Sequence, residues 1–567
     1  MIESENTIAG MSMIRGIGLD KEDGIGALTL GEYLKEVTTR FGPREVAVLH
    51  SGDEVERWTY DELWSRSVTV ARALLACGVG KGTRVGILMT NRLEFLSATF
   101  GTALAGGVAT TMSTFSTAPE LQVLVQNSGC SILLLERTVL KKDFADMMAE
   151  LEPCVASAAP GQLQSARFPF LRHLAMVDDE ETNGAIEGWS NFLKRGEATA
   201  PSMVEATTAS VAPSDPGLLF FSSGSTGKPK GILSAHRGVC LQLWRWRKWY
   251  DFKDDARSWS ANGFFWSGNF AMAIGGTLSA GGSLVLQRTF QPEEALALME
   301  AERVTFLCAW PHQWAQLTDA KNWLEVDLSA MHYTDAKSVI AQHPMIDTDW
   351  REPAHAYGNT ETFTLSTVFP ANTPEEICAG SHGVPAAGNS LKIVEPLSGQ
   401  TVPLGERGEI AIKGPTLMLG YLGIPLDETV DNEGFLHTGD GGFLDDEGRL
   451  HWEGRLNDII KTGGANVSPV EIDAVIAKCP GVKVIKTVGI PDELLGELVV
   501  ACIVPQAGAS LTPDTVRNFA KAQLASYKIP RRVLFFEESE LELTGSAKVK
   551  ISGLRDLAAK RLENTEG

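Results

Sequence analysis

The sequence predicts an α/β protein with a large N-terminal domain of mixed and parallel sheets flanked by helices, followed by a small α+β C-terminal domain. Three observations carry this prediction. Strand-like and helix-like segments alternate through the first part of the chain, an apolar strand empties into a glycine-rich loop just after residue 221, and a separate alternation resumes after about residue 456. At 567 residues the chain exceeds what one ordinary core can organise, so two domains are expected.

Residues 60–78 (YDELWSRSVTVARALLACG) carry apolar side chains at helical spacing and stop at Gly78, a residue suited to end a helix. RVGILM (84–89) then reads as a buried strand. The small-residue stretch 95–108, the strand candidate CSILLLE (130–136) and a mixed helical region up to residue 150 continue the alternation. Such alternation predicts a largely parallel sheet covered by helices, because parallel neighbours need a crossover connection. Residues 195–217 lose periodicity and are rich in Ala, Ser, Thr and Pro, which predicts a surface connection. From 218 to 453 the strand and helix signals return. EIDAVIAK and TVRNFAKAQL then read as helices, VIKTVGI and LVVACIVP as strands. This places the domain boundary beside Gly454–Arg455, with 1–455 in the large domain and 456–567 in the small one.

Composition removes several function classes. Hydrophobic residues at 44% and charged residues at 21% are ordinary for a globular protein and argue against disorder. No apolar run reaches bilayer-spanning length, so no membrane span is expected. An acidic N-terminus that leads into no apolar segment indicates no secretory signal, and a cytoplasmic protein is the expectation. The eight cysteines are dispersed without C-x-x-C pairs, so they read as buried or free thiols. A net charge of −21 opposes nucleic-acid binding, since phosphates are repelled at long range, yet a local nest of N–H groups and lysines can still hold a small anion.

The strongest chemical signal is LLFFSSGSTGKPKGI (218–232). An apolar strand opens into Ser222, Ser223, Gly224, Ser225, Thr226, Gly227, Lys228, Pro229, Lys230 and Gly231. Glycines admit a phosphate close to the backbone, while hydroxyls, N–H groups and lysines supply donors, so the segment reads as a polyphosphate cradle. It is not the common NTPase loop, because Pro229 follows Lys228 where that pattern needs Ser or Thr and the start of a helix. The bland alternative is a flexible surface loop, but flexible linkers seldom follow a buried strand or carry two lysines so close together.

These residues resemble the phosphate loop of the adenylate-forming (AMP-binding) superfamily, which contains acyl-CoA synthetases, peptide-synthetase adenylation domains and luciferases. The similarity extends over most of the chain. AYGNTET (356–362) resembles the family's Tyr-Gly-x-Thr-Glu motif, which implies that Tyr357 packs on adenine, Thr360 contacts the α-phosphate and Glu361 holds Mg²⁺. Gly358 and Asn359 complete that nucleotide-binding segment. Taken alone, Asn359-Thr360-Glu361 reads as a helix cap. LHTGDGGFLDDEGRLHWEGRLNDIIKTGG (436–464) matches the family twice, which implies that Asp440 accepts hydrogen bonds from the ribose hydroxyls and that Arg455 also lies on the ribose. A lone Asp-Gly is ordinarily a turn. GGANVSP (463–469) resembles the loop lining the family's pantetheine tunnel and brings in Gly463 and Gly464. SAKVKISGLR aligns Lys548 with the family's catalytic lysine, although a lysine near a C-terminus is ordinarily a solvated charge.

The resemblance implies ATP, Mg²⁺ and coenzyme A as cofactors and a two-step reaction on a carboxylic acid. Attack of the carboxylate on the α-phosphate expels pyrophosphate, with charge stabilised by Thr226, Lys228, Lys548 and the metal on Glu361. A rotation of the mobile small domain about Asn457 then withdraws Lys548 and admits the thiol. FFWSGNF (264–270) lacks the Asp that holds an α-ammonium in peptide-synthetase domains, which disfavours a free amino acid. Trp266 and Trp310 become candidate walls for an aromatic, alicyclic or medium-chain acid, against core packing as the bland reading. Three departures stand out: Ala547 before Lys548, Asn457 at the hinge, and Thr334-Asp335-Ala336-Lys337 in place of Gly-Gly-Ala-Pro. LWRWRKWY (243–250) tempts a nucleic-acid reading, but Trp246 and Trp249 share one helical face and the protein is acidic. Two other functions stay open beside a CoA ligase: an acyl-AMP ligase loading a carrier protein, and a nucleotide-binding protein without turnover. The assembly state is open too, a homodimer included.

Overall fold

A computed structural model describes residues 10–566 apart from 53, 179–180, 224–228, 354, 379, 459, 463–464, 493–494, 525–527 and 542–548. It is a mixed α/β protein, as the alternation predicts, and it divides into two compact units. The first comprises Met1–Ile14, Leu391–Ala411 and His437–Gly567, the second Arg15–Ser390 and Ile412–Leu436. The packing division is therefore discontinuous in sequence.

The larger unit is built on an eight-stranded sheet. Its order is Ile186–Gly188, His173–Met176, Ile132–Leu135, Arg84–Leu88, Val108–Thr111, Pro216–Ser223, Pro229–Ala235 and Gly420–Tyr421. The first six strands run parallel, and the last two pair antiparallel. The parallel strands are apolar without interruption, since helices cover both faces: Arg84–Leu88 and Ile132–Leu135 are buried along nearly their whole length. Tyr60–Ala76 forms the helix expected before the first of these strands. Thr59 caps it with a reciprocal Thr59–Glu62 box, and Gly78 beyond its end has φ +82°. A second, five-stranded sheet (Phe306–Cys308, Arg257–Ser260, Ser283–Leu286, Glu45–Ser51, Glu54–Thr59) is parallel except for its closing hairpin.

Two sequence readings resolve here. The segment 195–217 is not a bare connection: after a short 3₁₀ turn, Pro201–Ser210 is a helix with Pro201 at its first turn. Only Val204 and Thr208 bury a side chain, and the Thr208 hydroxyl donates to the Leu104 carbonyl at 3.0 Å, so the apolar periodicity is too sparse to see in sequence. The tryptophan-rich run lies on helix His236–Trp249. Trp246 and Trp249 are buried edge to face with ring centroids 5.3 Å apart, and Arg245 is buried in a two-pronged pair with Glu22. The run is core, not a surface for nucleic acid.

In the smaller unit, one five-stranded sheet contains Met13–Arg15, Ser390–Val394, Gly408–Lys413, Leu436–Leu444 and Leu450–Arg455. A second holds Ala465–Val467, Ile460–Thr462, Gly496–Pro505 and Val482–Asp492, with Arg532–Phe535 parallel to Gly496–Pro505. Helices Pro469–Ile476 and Pro513–Lys521 pack on it through Ile472, Ile476, Val516 and Ala520, as the late α/β alternation predicts. Among the described residues no helix is long and apolar enough to cross a membrane.

Candidate active site

The phosphate-loop strand runs Pro216–Ser223, and the chain returns antiparallel along Pro229–Ala235, with Ser222 opposite Lys230 and Ser223 opposite Pro229. Ser222, Ser223 and Lys230 thus stand at the open end of a hairpin whose other end is fixed in the sheet. Gly224, Ser225, Thr226, Gly227 and Lys228 form its connection and lie outside the described residues. The Lys230 ammonium sits 5.0 Å from the centre of the Tyr421 ring, a cation–π distance. The Tyr421 hydroxyl in turn donates to Glu361 Oε1 at 2.7 Å. Backbone bonds lock this arrangement: Met418 N–H donates to the Glu361 carbonyl at 2.7 Å, and Leu422 N–H to the Gly231 carbonyl at 2.8 Å.

Tyr357, Gly358 and Asn359 occupy the strand Ala356–Asn359, which pairs antiparallel with Thr364–Val368 and bulges between Tyr357 and Gly358. Thr360 and Glu361 sit in the tight turn between these strands. Asn359 Oδ1 accepts from the Thr362 N–H at 3.0 Å, so the capping reading of this motif is real, although what it caps is one 3₁₀ turn. Phe363 and Thr364 complete the reversal with φ of +47° and +90°, a conformation that side chains disfavour and that neighbouring structure must enforce. Gly358 is required by space: a Cβ there would lie 1.8 Å from the Thr364 carbonyl oxygen. Tyr357 is buried, and Thr360 and Glu361 are half-exposed. Glu361 Oε2 has no protein partner among the described residues, which leaves a hard anionic oxygen of the kind Mg²⁺ prefers. Among those residues no three His, Cys, Asp or Glu side chains cluster as a metal cage.

In the smaller unit, Asp440 on strand Leu436–Leu444 lies directly across from Arg455 on Leu450–Arg455. Arg455 Nε stands 3.0 Å from Asp440 Oδ1; the aspartate side chain is buried, the arginine 57% exposed, so screening keeps the pair weak. Arg455 also donates to the Thr438 carbonyl at 3.0 Å, and Asp440 N–H to the Thr438 hydroxyl at 3.1 Å. The Asp-Gly here is therefore inside a strand, not a turn. Asn457 falls in the 3₁₀ turn Leu456–Asp458, while Gly463, Gly464 and Lys548 lie outside the described residues.

A cavity of about 400 Å³ in the larger unit reaches the tip of the Tyr-Gly motif, where Gly358, Asn359 and Thr360 line it. Its apolar wall is Trp246, Tyr250, Met272, Trp310 and Leu365; Ser267 and Glu352 add polar groups. Of the two tryptophans singled out in the sequence, Trp310 lines this cavity, whereas Trp266 is half-buried against Phe265, ring centroids 5.4 Å apart. Trp246 and Tyr250 were legible only as core, and Tyr421 carried no signal beyond a Gly-Tyr pair. Asp335 and Lys337 line a separate cavity of about 190 Å³, where Lys337 pairs with Glu375 at 2.9 Å.

A hairpin end that carries Ser222 and Lys230, the Glu361 carboxylate and an aromatic-walled cavity at Gly358–Thr360 are what the larger unit brings together. The chain belongs to the AMP-binding enzyme family: the family's sequence model matches residues 34–422, and that of the AMP-binding enzyme C-terminal domain matches 471–548. The chain is 30% identical over 520 residues to feruloyl-CoA synthase of Amycolatopsis sp, covering 90% of this chain and 95% of that protein. It is 29% identical over 513 residues to indoleacetate–CoA ligase of Aromatoleum aromaticum, covering 89% and 94%. The crystal structure of ATP-bound MatB from Rhodopseudomonas palustris has the same fold, with a TM-score of 0.76 at 23% identity, covering 94% of this chain and 99% of that one.

Proposed function

We propose that the chain activates an aromatic, alicyclic or medium-chain carboxylic acid as its acyl-adenylate and passes the acyl group to coenzyme A. It is an ATP-dependent acid:CoA ligase of the AMP-forming kind, and its substrates are a carboxylic acid, ATP with Mg²⁺, and CoA. The observation that carries the acid class is the cavity of about 400 Å³ at Gly358–Thr360, walled by Trp246, Tyr250, Met272 and Trp310, which fits a ring or a medium chain and leaves acetate loosely held. The names of the feruloyl and indoleacetate relatives agree with a ring-bearing acid.

A carboxylate is a poor acyl donor because its leaving group would be oxide. Attack of a carboxylate oxygen on the α-phosphorus of ATP forms the mixed anhydride and breaks the bond to pyrophosphate. The protein supplies charge stabilisation and no nucleophile of its own. In the proposed arrangement Ser222, Ser223, Gly224, Ser225, Thr226, Gly227, Lys228 and Lys230 hold the phosphates, Thr360 meets the α-phosphate, and Glu361 holds the Mg²⁺ that accompanies the nucleotide. Tyr357 packs on adenine, and Asp440 and Arg455 take the ribose. Lys548 neutralises the charge developing on the α-phosphate; residues 456–567 then turn about Asn457, and the thiol attacks the acyl carbon past Gly463 and Gly464, releasing AMP. The division at 455/456 is thus a functional one. Cys130, Cys240, Cys308, Cys479 and Cys502 are buried thiols, which fits the reducing cytoplasm where we place the enzyme.

The test is AMP release across a panel of carboxylic acids with ATP, Mg²⁺ and CoA and no carrier protein. Acids with a ring or a medium chain should outrun acetate and the amino acids, with acyl-CoA as product; a clear preference for acetate overturns the acid class. Adenylation without acyl-CoA would instead identify a carrier-loading enzyme.

A further inference from the structure

Two neighbouring residues behind the Tyr-Gly motif hold a backbone that their side chains disfavour. Phe363 and Thr364, with φ of +47° and +90°, form the reversal between Glu361 and the cavity-lining Leu365, and a β-branched residue such as threonine is an especially poor occupant of that region. Such a reversal persists only where its surroundings enforce it. Helix His236–Trp249 supplies the grip. Gln242, fully buried, donates through its side-chain N–H groups to the Leu365 carbonyl at 2.8 Å and the Thr362 carbonyl at 3.4 Å, one on each side of the strained pair. One turn further along the helix, Trp246 Nε1 donates to the Thr364 hydroxyl at 3.3 Å. The Phe363 ring, buried as well, lies 5.5 Å from that of Phe220 on the strand leading into the phosphate loop. Gln242 bears a penalty of its own, because its Oε1 is buried with no hydrogen-bond partner among the described residues. A leucine or methionine would escape that penalty, so the N–H groups are what the position needs.

Resting on the ligase reading above, we infer that Gln242 is a positioning residue for the reaction: by clamping both ends of the strained reversal it fixes, from one helix, the Glu361 carboxylate on one side and the acid-cavity wall on the other. Glu361 is joined directly to Thr362, whose carbonyl one of the N–H groups holds, and Thr364 and Leu365 line the cavity of about 400 Å³. Relaxing the reversal therefore displaces the proposed metal-holding oxygen and the acid-facing wall together. Tyr421, by contrast, reaches Glu361 through its hydroxyl from outside the cavity lining.

A double-mutant cycle tests this: wild type, Gln242→Met, Thr364→Gly and the two together, assayed by ATP–pyrophosphate exchange with Mg²⁺ and 3-phenylpropanoate titrated in turn. Glycine accepts the positive φ that threonine resists, so the clamp has less to enforce in the Thr364→Gly background. Gln242→Met should raise both the half-saturating Mg²⁺ concentration and the KM for the acid by about fivefold or more in the wild type, and by roughly twofold or less beside Thr364→Gly. Half-saturating concentrations do not change when a fraction of the enzyme is unfolded, so a purely structural role would lower the exchange rate and leave both values in place. Should Gln242→Met fail to fold, Gln242→Asn, whose amide stops one methylene short, takes its place in the cycle. Unchanged values, equal effects in both backgrounds, or a rise in one value without the other overturn the inference and leave the ligase reading intact. An absence of exchange in the wild type with the whole panel of acids strikes the ligase reading itself.

Discussion

Tyr421→Phe is the sharpest perturbation the larger unit offers. The substitution keeps the ring under Lys230, 5.0 Å from its ammonium, and keeps the pairing of the strand Gly420–Tyr421 with Pro229–Ala235. It removes the 2.7 Å donation to Glu361 Oε1. Bonds to charged acceptors contribute about 1.5–3 kcal/mol, and since both side chains are half-exposed the lower end applies. About 1.5 kcal/mol spent on orienting the proposed metal-holding carboxylate corresponds to roughly a tenfold change in its effectiveness. Mg²⁺ titration of ATP–pyrophosphate exchange, at saturating acid, should show the half-saturating Mg²⁺ concentration rising roughly tenfold in Tyr421→Phe while the KM for the acid stays put. Tyr421→Leu, which also strips the face from Lys230, should additionally weaken ATP. An Mg²⁺ requirement that is unchanged or lower in Tyr421→Phe would refute the view that this hydroxyl aims Glu361.

Gly358→Ala should be disabling, because its Cβ would meet backbone, 1.8 Å from the Thr364 carbonyl oxygen and 2.6 Å from Leu365 Cα. Backbone cannot step aside as a side chain does, so the cost should reach or exceed ~3 kcal/mol, visible as a lower unfolding midpoint together with lost ATP affinity. Lys548→Ala should collapse pyrophosphate exchange while ATP still binds; exchange at the wild-type rate would remove Lys548 from the chemistry. Burial lowers His236 from 6.5 to about 4, its Nδ1 accepting from the Leu30 N–H at 3.2 Å, so the folded state resists the proton that the unfolded state takes up. Stability should therefore be complete above pH 6.5 and fall as the pH drops toward 4, and urea titrations at several pH values should show a flatter profile in His236→Gln.

What could be read from the sequence was what is local and strongly periodic. The helix Tyr60–Ala76, the strand Arg84–Leu88 and the apolar lead into Ser222 declare themselves through side chains a few positions apart. The helix Pro201–Ser210 escaped because a surface helix that buries two side chains writes almost no pattern, and Pro201 as a starting signal was outweighed by the surrounding Ala, Ser and Thr. Asp440 was ambiguous alone because Gly439, Gly441 and Gly442 interrupt strand alternation, although the residue sits mid-strand across from Arg455. Tyr421 could not be found at all. Its hydroxyl meets a residue 60 positions away, which no spacing rule encodes. Trp246 and Tyr250 illustrate a related limit: the sequence gives their helical face, while only the tertiary structure shows that this core face borders a cavity.

The return strand Pro229–Ala235 has an electrostatic price. In folds where a phosphate-binding loop runs straight into a helix, the peptide dipoles at the helix start do part of the work of holding the anion, and no salt can strip them away. Here the chain leaves the loop as extended backbone, and the next helix begins only at His236. In the proposed site the burden falls on separate ammonium groups such as Lys230, whose attraction for a triphosphate is shared with every dissolved counter-ion. Nucleotide affinity in this protein should therefore weaken visibly as ionic strength rises.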